Sequence, residues 1–141
     1  MTDAQLFEET FNITAINSEK YDRVSRLTGI STDQTLNFTL DINSELFNVN
    51  VGDTLTMVLA STLNLDGTKD EKGWRDNNKE HTLADNYEYV CYGKNYRFED
   101  GVDDKMKFFA SFGGLLLFLE GPYKKMTSLK IEYVYMLLNK A

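Results

Sequence analysis

The chain is poor in the residues that most often carry chemistry or covalent cross-links: 141 residues include one cysteine, one proline, one histidine and one tryptophan. A single thiol, Cys91, excludes an intramolecular disulfide and points to a reducing compartment. A single imidazole, His81, leaves too few partners for a Ser-His-Asp triad or a zinc site. Cations are the minority, 15 Lys+Arg against 22 Asp+Glu, and the net charge of −7 weakens attraction to phosphate backbones and anionic membranes. The longest apolar run, Leu115 to Leu119, falls far short of the roughly 18–20 residues of a membrane helix, so no membrane partner is expected. The opening MTDAQLFEETF is acidic and lacks the basic and apolar regions of a secretory signal. The sequons at Asn12-Ile-Thr14 and Asn37-Phe-Thr39 fall inside apparent strands and carry no meaning in a non-secreted chain.

What is present is alternation. Leu36, Phe38, Leu40 and Ile42 alternate with Thr35, Asn37, Thr39 and Asp41, the pattern of a strand with one buried face. Leu55, Met57 and Leu59 repeat it, as do Met106, Phe108, Ala110 and Phe112; Phe7, Phe11 and Ile13 share one parity near the start. Tyr21 to Leu27 alternates less cleanly and is read as a further strand. Thr28-Gly29, Gly52-Asp53, Asp66-Gly67, Asp100-Gly101, Gly113-Gly114 and Gly121-Pro122 punctuate the runs. Short strands with such spacing predict an all-β barrel or sandwich, with helical turns only at Ile42–Phe47 and Tyr123–Ser128. Residues 66–86, nearly devoid of apolar side chains and containing Trp74 and His81, read as a long mobile loop within a single domain over 1–141.

Catalytic constellations are hard to assemble. Cys91 sits mid-strand in YEYVCYGKNYRFE, the place of a buried structural thiol. Asp41-Ile-Asn43-Ser-Glu45 starts like a calcium loop but lacks the sixth-position glycine and the closing glutamate. Glu99-Asp100 and Asp103-Asp104 bracket a turn, and Gly113-Gly114 precedes a strand rather than a phosphate-binding helix. Catalytic, metal and cofactor sites are therefore expected to be absent.

The aromatic residues carry more. Tyr87, Tyr89, Tyr92, Tyr96 and Phe98 crowd one strand; parity sends Val90, Tyr92, Tyr96 and Phe98 one way and Tyr87, Tyr89 and Cys91 the other, with Gly93 as a candidate bulge. Aromatics on both faces imply that one face meets a partner, either stacked bases or another protein. In SFGGLLLFLEG, Gly113-Gly114 suits a two-residue hairpin. Leu115, Leu117 and Leu119 then point into the barrel, and Leu116, Phe118 and Glu120 point outward.

Five segments, YDRVSRL, LDIN, ASTLNLDGT, YEYVCYGKNYRFE and SFGGLLLFLEG, in this order and spacing, resemble the small OB-fold subunit common to the eukaryotic nuclear RNA polymerases I, II and III, the eighth in the usual order. The similarity spans about Phe7 to Lys140. The resemblance implies an eight- or nine-stranded OB-fold-like barrel, a non-catalytic role, no metal, docking on the largest polymerase subunit and residence in the nucleus and nucleolus. The family often has Met-Arg where this chain has Leu117-Phe118, which puts an aromatic ring where a charge would point outward.

Two functions follow for comparison. A structural subunit should show an aromatic patch covered only in the complex, with Leu116, Phe118, Tyr89 and Tyr96 as candidate contacts. A free-standing binder of single-stranded nucleic acid should bring Lys20, Arg23 and Arg26 beside Lys94 and Arg97 in one basic groove. The charge of −7 makes any such nucleic-acid contact weak or absent.

Overall fold

The alternating runs become strands that close on themselves. The computed structural model describes residues 5–21, 23–62 and 87–140, so the charged stretch at 66–86, with Trp74 and His81, lies outside the described residues. The strands are β1 (Gln5–Tyr21), β2 (Val24–Ser31), β3 (Asn37–Asn43), β4 (Thr54–Ala60), β5 (Tyr89–Asp100), β6 (Lys105–Phe112), β7 (Leu115–Pro122) and β8 (Tyr133–Lys140). They form a closed, OB-like antiparallel barrel in the order β1-β2-β3-β7-β6-β5-β8-β4, with β4 returning to β1. Closure removes the exposed edges that an open sheet would present.

The long β1 serves two neighbours. Its first half pairs with β4 (Phe11↔Leu55), and its second half with β2 (Ile16↔Leu27). A register shift between Ile13 and Ala15 bends the strand where it passes from one to the other. The inward parity of each strand is the apolar one: Phe11, Leu27, Leu36, Phe38, Leu40, Leu55, Leu59, Phe108, Leu117 and Leu119 are fully enclosed in one core. Phe11 and Phe38 meet there with ring centroids 4.5 Å apart.

The β6–β7 hairpin has the expected form. Phe112 pairs with Leu115, and Gly113 and Gly114 both take positive φ, 66° and 96°. The Gly114 N–H donates to Ser111 Oγ at 3.2 Å. Gly93 has a different purpose from the bulge expected of it: β5 and β6 approach so closely there that an added Cβ would lie 2.8 Å from Phe112 Cα and closer still to the Ser111 carbonyl. Gly93→Ala should therefore cost about 1–3 kcal/mol, read from urea unfolding; a neutral substitution would show that the β5–β6 seam yields freely.

Three further expectations need correction. Tyr21–Leu27 is not one unbroken strand: Val24–Leu27 is the first half of β2, as expected, but Tyr21 closes β1 and pairs back with Val24 across a turn. Ile42–Phe47 is no helix: β3 continues to Asn43, whose carbonyl accepts the Leu46 and Phe47 N–H groups in a turn. Of Tyr123–Ser128 only Tyr123–Lys125 coils, as one turn of 3-10 helix.

The connection from β7 to β8 has to pass β6 and β5, and it lends Met126 and Leu129 to the core. Lys125 Nζ donates to Thr35 Oγ1 at 2.7 Å and to Glu9 Oε2 at 3.2 Å, and also to Asp33 Oδ2, clasping this connection to β1 and the β2–β3 turn. That turn is itself ordered by Ser31 Oγ, which donates to Asp33 and accepts the N–H groups of Thr35 and Leu36. The bond from Lys125, with those from Ser31 and Thr35, holds the Asp33 carboxyl well below the usual carboxylate range, and Asp33 in turn raises Lys125. A depressed acid stabilises the fold above its unfolded pKa, about 4, and loses that contribution as pH falls toward the folded value. The raised amine contributes fully below its unfolded pKa, about 10.4, and loses its part only as pH rises through the folded value. The stability gap between the native chain and Lys125→Met should thus be flat from about pH 5 to 9 and shrink below about pH 4. Urea melts of both proteins at several pH values check this; a gap that changes near neutrality would contradict it.

Candidate docking face

Because β7 alternates, burying Leu117 and Leu119 obliges Leu116 and Phe118 to stand outside. Register then decides what they meet. Phe118 lies opposite Thr39 on β3 and Phe109 on β6, and Phe109 lies opposite Arg97 on β5. The Phe109 and Phe118 rings are 5.2 Å apart, and the Arg97 guanidinium sits 5.8 Å from the Phe109 centroid.

A bulge completes the row. On β5, Asn95 pairs with Ala110 and Arg97 with Phe109, so Tyr96 is the extra residue between them. Parity inverts at this point. Tyr96 and Arg97 both face outward, Tyr96 with its ring 6.2 Å from Phe109. Phe98 turns inward, edge-on to Phe108 at 5.3 Å and packed against the core, on the opposite side from the one its spacing predicts. The result is an open groove of about 310 Å³ lined by Arg26, Thr39, Tyr96, Phe109, Leu116 and Phe118, with Leu117 beneath.

One carboxylate sets the end of this groove. Backbone pairing between β3 and β7 stops at Leu40↔Leu117. Beyond it, the nearly buried Asp41 accepts the Leu116 N–H at 3.1 Å and two bonds from Arg26, at 2.7 and 3.2 Å. Asp41 replaces the missing ladder bond and fixes where Leu116 and Arg26 stand.

The candidate contacts divide accordingly. Leu116, 42% exposed, and Tyr96, 45% exposed, share the groove with the half-buried Phe118. Tyr89 leaves the set: it is 6% exposed, stacks on Phe47 at 5.2 Å, and its hydroxyl accepts the Asn43 N–H at 3.0 Å. Burial pushes the Tyr89 hydroxyl up and, for the same reason, the neighbouring Cys91 thiol. Its parity is the inward one, so this aromatic serves the core.

The proposed basic groove is not assembled. β3, β7 and β6 stand between β2, which follows Arg23 and contains Arg26, and β5, which contains Lys94 and Arg97. Arg23 pairs with Glu45 at 3.2 Å, Arg26 with Asp41, and Arg97 with Glu99 at 2.6 Å. Lys94 lies 5.5 Å from the Tyr133 ring, and the side chain of Lys20 falls outside those described. Among the described residues no three acidic, histidine or cysteine side chains stand together as a metal site requires.

Sequence reasoning missed Phe109 and the pair Tyr92–Tyr133. Phe109 sits on the polar parity of β6 between Lys107 and Ser111, and that misplaced aromatic was the available signal. Tyr92 and Tyr133 stack at 5.5 Å only because β5 pairs with β8, which no local pattern reveals. Beside them the outer faces of β4 and β8 bury Val58, Ala60, Tyr135 and Leu137 in a second apolar cluster, against which Tyr87 and Val90 pack.

Comparison with known proteins adds to this geometry. The sequence profile of the family RNA polymerase Rpb8 matches residues 8–140. A Schizosaccharomyces pombe protein named DNA-directed RNA polymerases I, II, and III subunit RPABC3 is 36% identical over 140 residues, covering 99% of this chain and all of its own length. Its namesake from Saccharomyces cerevisiae is 39% identical, covering 96% of this chain and 97% of itself. The Dictyostelium discoideum protein of that name is likewise 39% identical with the same coverage.

Proposed function

The chain belongs to the RNA polymerase Rpb8 family, and from that membership we propose that it is a non-catalytic subunit of the nuclear DNA-directed RNA polymerases I, II and III. It docks on the largest subunit, supports assembly of the multi-subunit core for transcription, and resides in the nucleus and nucleolus. The observation that carries this reading is the near full-length match to proteins named as a shared polymerase subunit. The outward row of Phe118, Phe109 and Tyr96 supports docking, since a monomeric surface seldom gathers aromatics without covering them. A free-standing single-strand binder would need one continuous basic track, and its cations instead lie on separated strands, most of them paired with acids.

Affinity purification of the tagged full chain from nuclear extract tests the proposal. Co-recovery of the large polymerase subunits is expected; recovery of the chain alone would overturn it.

A further inference from the structure

The groove between β3 and β5 has an asymmetry of chemistry that says what kind of segment fits it. Its floor and walls are Thr39, Leu116, Leu117, Phe118, Phe109 and Tyr96, without a charge among them. A guanidinium stands at each end: Arg26, with half of its side-chain surface exposed, on the β2 side, and Arg97, with 61% exposed, over Phe109 on the β5 side. Among the described residues that line the groove there is no carboxylate, and the acids at its two ends, Asp41 and Glu99, are paired with Arg26 and Arg97. We propose that this groove receives an apolar side chain from a polypeptide segment carrying carboxylates on both sides of it. The face is that of the docking reading above and the inference rests on it; the chemistry of the docked segment is what it adds.

The dimensions agree. From β2 to β5 around the barrel is four strand spacings, roughly 19 Å along the sheet, which an extended segment of about six residues spans at about 3.3 Å each. An apolar anchor over Phe109 and Phe118 then places acidic neighbours within about three residues on either side, against Arg97 and Arg26. Both arginines already have internal acids, which hold their guanidinium groups in place before the partner arrives and limit the ordering cost. Asp41 acts as the positioning residue for this arrangement, because it fixes Arg26 and Leu116 together. Nucleic acid suits the groove poorly: among the described residues a strand crossing it would find cations at its ends, and Glu120 and Glu99 lie in the neighbouring row with Lys107 between them.

The test places the photo-crosslinking residue p-benzoylphenylalanine at position 116 of the tagged full chain, irradiates cells, and identifies the crosslinked peptide by mass spectrometry. The inference expects a polypeptide with Asp or Glu within about three residues on each side of an apolar residue. It also expects Arg26→Gln combined with Arg97→Gln to lower the crosslink yield about tenfold. A crosslinked segment that is basic or uncharged, or a crosslink to nucleic acid, overturns it. So does a yield indifferent to the two arginines. If polymerase co-purifies while position 116 crosslinks to nothing, the inference falls and the subunit reading stands. If an acidic segment is captured from a protein other than polymerase, the inference stands and the subunit reading falls.

Discussion

Phe108→Ala is expected to destabilise the barrel by about 3–5 kcal/mol, the range for removing a fully enclosed phenylalanine ring. Phe108 is entirely inaccessible, lies in register between Phe98 and Leu119, and meets the Phe98 ring edge-on. The loss has two parts: the transfer of the ring out of water, and the cavity left because antiparallel strands on both sides hold the walls apart. For a domain whose total stability is of the order of 5–15 kcal/mol, this is about a fifth of the whole at the least. Urea unfolding followed by circular dichroism measures it. A loss below about 1 kcal/mol would mean that the interior collapses onto the gap, contrary to the rigidity of a closed barrel.

Phe118→Glu is expected to act in the opposite sense, leaving the fold intact while removing the interaction. Phe118 points outward, half-buried, and its main intramolecular partner is the Phe109 ring. A central aromatic of a protein interface carries about 2 kcal/mol or more, so polymerase co-purification should weaken roughly thirtyfold. A carboxylate placed in the groove would also stand among the acidic residues expected of the docked segment. The readout has two arms: thermal unfolding of the free chain, and the amount of polymerase recovered with it. A chain that unfolds would assign Phe118 to its own core, and a folded chain with undiminished recovery would remove it from the docking face.

Much of this architecture is legible in the linear pattern. The alternation of β3, β4 and β6 named the side chains that enter the barrel, because a period of two sends one parity inward, but not Val58 and Ala60, which β4 buries on its outer face. Gly113-Gly114 marked the β6–β7 hairpin because few residues other than glycine tolerate two consecutive positive φ angles. From those two facts Leu117 and Leu119 had to enter the barrel and Leu116 and Phe118 had to remain outside. The tyrosine-rich β5 was misread in part for an equally physical reason. Parity persists along a strand only while the ladder is unbroken, and the extra residue at Tyr96 reversed it.

The sequence by itself determined that this chain is all-β, which side chains form the greater part of its core, and that it resembles a polymerase subunit. Each of these is a local or cumulative property, written in spacing, turn residues and composition. Only the tertiary structure decided which strands are neighbours, and with that the nature of the surface. It separated the cations of β2 from those of β5, and it set Phe118 beside Phe109 and Tyr96. It withdrew Tyr89 into the interior against Phe47. Strand order in a closed barrel is set by pairing between residues far apart in the chain, and the outer face of one strand carries no mark of which strand will lie next to it.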